Sequence, residues 1–188
     1  MRVIKIKGEK VSLAPVEHGD AALWYRWLND IEVALPLGDE VYNTITNDAM
    51  TECVESMVKG GDPVFTIVEN GTERAIGRCL LFNVDRVNRS AMAGIFIGEK
   101  DCWNMGYGGE AMELLLDYGF TLLNLNSVML GAFAYNERAV SCYRRIGFKE
   151  IGRRREARII GGRKYDVVMM DMLASEFQSS RLKDLLPD

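Results

Sequence analysis

The residues Trp103-Asn104-Met105-Gly106-Tyr107-Gly108-Gly109-Glu110-Ala111 join an apolar run, Ala91 to Gly98, to the longest helical pattern in the chain, Gly106 to Leu123. No other stretch restricts the fold so sharply. Ala111, Leu114, Leu115, Tyr118 and Leu122 recur on one face, the spacing of a helix buried along a stripe. The glycines at its head let the backbone turn tightly and leave bare N–H groups open to a ligand. A helix N-terminus also has unpaired N–H donors and a partial positive charge, so strand, glycine loop and helix together can hold a diphosphate without a lysine. The dinucleotide fingerprint does not fit, because it needs an acidic residue closing the second strand, where this chain has Ala132-Phe133-Ala134. No phosphate-loop G-K-[ST] is present.

The flanking pattern places this unit in a mixed sheet. Val3 to Leu13 reads as one strand with a turn or kink at Gly8-Glu9, and Gly19 to Leu28 as a short helix carrying Trp24 and Trp27. Asn29 to Asn43, with Pro36 and Gly38, reads as a loop or broken helix. Thr46 to Lys59 opens on capping residues and stops at Gly60-Gly61, the signals of a helix. Val64 to Glu69 and Ala75 to Val84 are strands joined through Asn70-Gly71, a strong hairpin signal, and Ala91 to Gly98 follows as the next strand. Ser127 to Ala134 is a strand, Glu137 to Ile146 a helix, and Lys149 to Ile160 and Arg163 to Leu173 pair around Gly161-Gly162. Antiparallel hairpins thus flank a strand–helix–strand crossover, which predicts a mixed-sheet α/β domain over residues 1–175. Residues 176–188 are a tail or short terminal helix.

Composition narrows the function. The 188 residues are 48% hydrophobic and 27% charged, a globular balance, and no repeat or low-complexity linker divides them. A net charge of −4 argues against a nucleic-acid partner, which asks for a basic face. No apolar stretch approaches the roughly 20 residues that span a bilayer, and Met1 to Lys7 alternates polar and apolar residues, unlike a signal peptide. Cys53, Cys79, Cys102 and Cys142 lie far apart with one histidine, His18, in the chain. That pattern predicts no zinc site and no disulfide framework, and suits reduced thiols in a cytoplasmic protein.

A second segment runs from Asn136 to Phe148. Asn136 caps the helix, Gly147 ends it, and Tyr143 lies two turns beyond Asn136. Taken alone, Tyr143 reads as a half-buried packing residue. Together, the glycine loop and the pattern N-x-x-A-x-x-x-Y-x-x-x-G-F, met by Asn136, Ala139, Tyr143, Gly147 and Phe148, resemble the Gcn5-related N-acetyltransferases. The end of the chain, Lys149 to Arg153 and Gly161 to Asp166, resembles the branch that acetylates ribosomal-protein N-termini and its spermidine and aminosugar relatives.

The resemblance implies acetyl-CoA as cosubstrate, no metal, and direct attack by an amine in a ternary complex. The backbone of Ile95, Phe96, Ile97 and Gly98 would pair with the pantetheine arm as an added strand. The loop Trp103, Asn104, Met105, Gly106, Tyr107, Gly108 and Gly109 would cradle the diphosphate. Asn136 and Ala139 would meet the cofactor arm, and Tyr143 would protonate the departing thiolate as general acid, with Asn136 fixing the arm or a water. A backbone N–H near Ile97 would polarise the thioester carbonyl.

Three positions depart from the family pattern. Trp103 replaces a usual Gln or Arg, and Asn104 stands where glycine is common. Met92 occupies a strand position where relatives carry a glutamate, which leaves the base to a water relay, Glu99 or Asp85. Cys142, beside Tyr143, has no histidine partner nearby in sequence and reads as a packing residue. The acceptor is a protein N-terminal amine or a small amine such as a polyamine or aminosugar. Its wall would lie in Trp24 to Tyr42, where Asp30, Glu32, Asp39 and Glu40 would suit a cation. A homo-oligomer is left open. A non-catalytic acyl-CoA-binding sensor is the competing reading, and Tyr143 argues against it.

Overall fold

The computed structural model describes residues 2–178 and 181–187. Eight strands and five α-helices follow in the order β1 (Ile6–Lys7), β2 (Val11–Pro15), α1 (Asp20–Leu28), α2 (Ile31–Ala34), α3 (Asn47–Lys59), β3 (Val64–Glu69), β4 (Ala75–Asp85), β5 (Ser90–Ile97), α4 (Tyr107–Asp117), β6 (Ser127–Phe133), α5 (Glu137–Ile146), β7 (Lys149–Ile160) and β8 (Arg163–Leu173). The sheet order is β1-β2-β3-β4-β5-β6-β8-β7. The fold is the expected mixed α/β architecture, with a mostly antiparallel sheet and one parallel pair, β5 with β6.

Two departures from the sequence reading have local causes. The stretch read as a single opening strand is a hairpin, because the Gly8-Glu9 turn returns the chain so that Ile6 pairs with Leu13 and Lys7 with Ser12. The longest helix pattern, Gly106 to Leu123, loses its α geometry at Asp117 and continues as a π turn over Tyr118–Leu122. Asn29 to Asn43 is the broken helix: α2, capped by the Asp30 carboxylate, then a 3₁₀ turn over Asp39–Tyr42.

The chain divides into two compact units, one built from residues up to Phe82 with Gly94–Leu115, the other from Asn83–Ala93 and the residues from Leu116 on. In the first, Trp24, Trp27 and Leu28 of α1 join Met50 and Val54 of α3 and Phe96 of β5 in one buried cluster. The Asp20 carboxylate, fully buried, is held by the Arg2 guanidinium, the Thr66 hydroxyl and the Glu17 N–H, so its charge is paired and its lone pairs are used. In the second unit, β5 and β6 pair in parallel from Ser90–Ser127 to Met92–Met129, and the register ends there. β8 then lies antiparallel to both β6 and β7. The Asp117 carboxylate accepts the N–H groups of Arg181 and Leu182 at 2.7 and 2.9 Å, tying that part of the tail to the end of α4. A 3₁₀ turn over Ala174–Glu176 and another over Lys183–Leu185 are what the described residues show of the expected tail helix; Ser179, Ser180 and Asp188 lie outside them.

Candidate active site

The glycine loop belongs to the first unit and is shaped by backbone conformations that few residues adopt. Asn104 and Gly106 both lie at positive φ, 64° and 85°. Asn tolerates that region through its short polar side chain, and Gly through having no Cβ. Left-handed residues beside right-handed ones can turn neighbouring N–H groups toward one face, the geometry of an anion nest. The chain then enters α4, where the N–H groups of Tyr107, Gly108 and Gly109 have no carbonyl four residues back within the helix. A cation stands at the same place. Lys10 Nζ donates to the Met105 carbonyl at 3.3 Å and lies 3.4 Å from where a Cβ on Gly106 would sit. The Glu110 carboxylate receives the N–H groups of Glu9 and Lys10 and so fastens the β1–β2 turn to the head of α4.

The end of β5 is fixed to this loop by Trp103, whose indole N–H donates to the Ile97 carbonyl at 2.9 Å. The Gly98 N–H goes to the Ile76 carbonyl at 2.8 Å. The Ile97 carbonyl and the Gly98 N–H therefore serve the fold. Tyr107 donates its hydroxyl to Glu69 at 2.9 Å, and this hydrogen bond leads the causes that raise its pKa.

The second unit carries Asn136, Ala139 and Tyr143. Phe133 and Tyr135 stack with ring centres 5.3 Å apart, and Tyr165 meets Tyr135 edge-on, so the turn from β6 into α5 is held by aromatic contact. Asn136 Oδ1 accepts the Ala139 N–H at 3.2 Å, the expected cap. Gly147, at φ 115°, ends the helix in a left-handed turn that returns Phe148 beneath Tyr143. Phe148 is buried, and its ring meets the Tyr143 ring edge-on at 5.9 Å. The Y-x-x-x-G-F spacing therefore has a physical reason: the glycine turn lets the phenylalanine brace the tyrosine. The Tyr143 hydroxyl makes no hydrogen bond among the described residues. Burial pushes its pKa above the ordinary phenol value, which already leaves a phenol protonated at neutral pH.

A family model for the acetyltransferase (GNAT) domain matches residues 10–149. The chain belongs to the GNAT acetyltransferase family. An uncharacterized N-acetyltransferase p20 of Bacillus licheniformis is 27% identical over 171 residues, 90% of this chain and 96% of that protein. The spermidine N(1)-acetyltransferase of Vibrio cholerae is 27% identical over 168 residues, 89% of this chain and 95% of the relative. A crystal structure of spermidine N-acetyltransferase from Vibrio cholerae in complex with CoA and spermine has a TM-score of 0.81 at 26% identity, covering 90% of this chain and 98% of that one. The protein is accordingly an acetyl-CoA-dependent N-acetyltransferase acting on an amine. The residues of this GNAT chain fit the cosubstrate: two positive-φ positions, three N–H groups at a helix start and the Lys10 ammonium make a donor set suited to a diphosphate.

The carboxylates offered as bases are otherwise engaged. Glu99 receives the Trp27 indole N–H at 3.0 Å and pairs with Arg26. Asp85 closes its own turn, accepting the N–H groups of Val87 and Asn88 and the Asn88 amide, and these bonds hold its pKa below the usual range. Two of the four acidic residues proposed for the acceptor wall, Asp30 and Glu32, share one cation, Lys100, at 2.7 and 2.8 Å. Lys10 went unnoticed in the sequence because a lysine just before a strand gives no local signal. Among the described residues no group of His, Cys, Asp and Glu side chains could hold a metal ion, and no helix is long and apolar enough to cross a membrane.

Proposed function

We propose that the enzyme acetylates a small primary amine by direct attack in a ternary complex, with Tyr143 as general acid. Bound acetyl-CoA supplies the activated thioester. The N–H groups of residues 104–109 and the Lys10 ammonium hold its diphosphate, and the backbone of Ile95, Phe96 and Ile97 at the end of β5 receives its extended arm. Asn136, with Oδ1 committed to the helix cap, has its Nδ2 donor left for the arm or an ordered water. Tyr143 gives its hydroxyl proton to the sulfur as the C–S bond breaks. The amine nitrogen forms the new C–N bond and releases its proton to water, since Glu99 and Asp85 are tied into the fold.

The observation that carries this reading is the Tyr143 hydroxyl, without a hydrogen bond among the described residues and braced by Phe148 at the family's motif position. The relatives named for spermidine make polyamines natural first candidates, alongside aminosugars and N-terminal peptides. Incubating the protein with acetyl-CoA and such a panel, and reading products by mass spectrometry, tests the reading. One amine should gain a single acetyl group with stoichiometric release of CoA. CoA release without any acetylated amine would defeat it.

A further inference from the structure

Arg78 lies in β4 of the first unit, with its guanidinium carbon 4.9 Å from the centre of the Trp24 ring and 5.2 Å from that of Phe96. It makes no hydrogen bond and no ion pair among the described residues, and its Nε is sealed from solvent. Two further polar atoms of the same unit are buried without partners, the Trp24 indole nitrogen and Glu40 Oε2. Aromatic faces stabilise the plane of a guanidinium but satisfy none of its N–H groups, which lie at the rim of that plane. Arg78 as a whole is half-buried, and drawing a charge even partly out of water is repaid only by a matched partner. Burial duly works against the Arg78 charge, with Glu40 among the acidic groups that oppose the effect from beyond ion-pair distance.

The missing partner has a definite chemistry. A planar fork of unused donors matches a carboxylate bidentately. A doubly charged anion such as phosphate is disfavoured by Glu40, whereas an acceptor bringing its own ammonium is not. A polyamine, cationic along its whole length, would be repelled by Arg78. We propose that the amine acetylated by this enzyme is an amino carboxylate, a small zwitterion whose carboxylate is held by Arg78 between Trp24 and Phe96. This rests on the amine-acetylation reading above and narrows its acceptor class.

Matched pairs of amines test it: glycine, glutamate, lysine and 4-aminobutyrate, each against its carboxamide, with spermidine as the purely cationic comparison. Thermal melting of the CoA-bound protein and product mass spectrometry are read together. At least one acid should raise the melting temperature and be acetylated about tenfold or more efficiently than its amide, the value of one good charged contact. In Arg78→Met, which keeps the length and the aromatic packing, that preference should vanish while acetyl-CoA affinity stays within about twofold. The ligand-free variant should melt no lower than the parent, because a partly desolvated charge without a protein partner has gone. Equal behaviour of acid and amide in every pair, or a preference for spermidine, overturns the proposal without needing the variant. So does an Arg78→Met protein that melts lower and keeps its preference, which would make Arg78 a structural residue paired with Glu40 in solution. If acids stabilise the parent through Arg78 yet no amine is acetylated, the transfer reading fails and this site stands. If amines are acetylated without regard to a carboxylate, transfer stands and the site falls.

Discussion

Asn136 shows how one side chain can be divided between fold and chemistry. Its Oδ1 caps α5 by accepting the Ala139 N–H, while its Nδ2 has no partner among the described residues. The two roles separate by substitution. Asn136→Ala loses both, and its missing cap should cost about 1 kcal/mol, lowering the melting temperature by about 2–4 °C. Asn136→Asp keeps the cap oxygen and adds a charge that favours a helix N-terminus, but it removes the donor. Calorimetry should find Asn136→Asp as stable as the parent, while steady-state kinetics should find kcat/KM lowered by about tenfold or more. An active Asn136→Asp would confine the residue to capping. Such division of labour is invisible in sequence, where Asn136 reads as a cap and a motif residue at once. Arg78 is a harder case. One arginine in a run such as Ile76-Gly77-Arg78-Cys79 reads as a solvent-facing strand position, and its burial arises only when Trp24 of α1 and Phe96 of β5 close on it.

Elements were more legible than residues wherever the local signals agreed with one another. α5 runs from Glu137 to Ile146 as its cap and glycine stop predict, and β7 and β8 meet around Gly161-Gly162 with the predicted bounds. The opening hairpin was missed because β1 is only two residues long, too short for a periodic signal. The engagement of the β5 end by Trp103 and Ile76 was missed because those hydrogen bonds link groups whose proximity only the folded chain defines. The glycine loop permits a test at this scale, since its two central glycines differ physically. A side chain at Gly106 is strained by its φ of 85°, whatever the space around it. At Gly108 the backbone is ordinary, and an added Cβ would meet Ile97 at 3.7 Å, a normal contact. Gly108→Val should therefore fold nearly as well as the parent and yet bind acetyl-CoA at least about tenfold more weakly, roughly 1.4 kcal/mol by titration calorimetry. Gly106→Val should lose both affinity and melting temperature. Unchanged affinity in both variants would remove the loop from the cosubstrate site.

Across the molecule, hydrogen bonds and ion pairs hold several carboxyls below their ordinary values: Lys100 on Asp30, Thr72 and Tyr107 on Glu69, Arg153 on Glu150 and Lys149 on Glu176. A carboxyl whose folded pKa is depressed contributes stability above its unfolded value, 3.8 for Asp and 4.5 for Glu here, and loses it as pH falls through the folded value. Each of these groups is solvent-accessible and worth little alone. The melting temperature should accordingly hold steady down to about pH 5 and decline below about pH 4, as differential scanning calorimetry can record. Tyr143 has the opposite sign. Burial raises its folded pKa, so its contribution is full below the ordinary phenol value and is lost only as pH climbs through the folded one. The acid therefore stays protonated wherever the enzyme works, but it is mismatched to a thiol with a pKa near 8.5, which places its effect at the lower end of general acid catalysis, about 10². The most direct measurement is the rate of acetyl transfer by Tyr143→Phe to an amine the parent turns over rapidly, taken with its affinity for acetyl-CoA. The phenylalanine ring keeps the contact with Phe148, so affinity should be unchanged while kcat falls about 100-fold at neutral pH. A variant with near-parental kcat would leave Tyr143 a packing residue and contradict the mechanism.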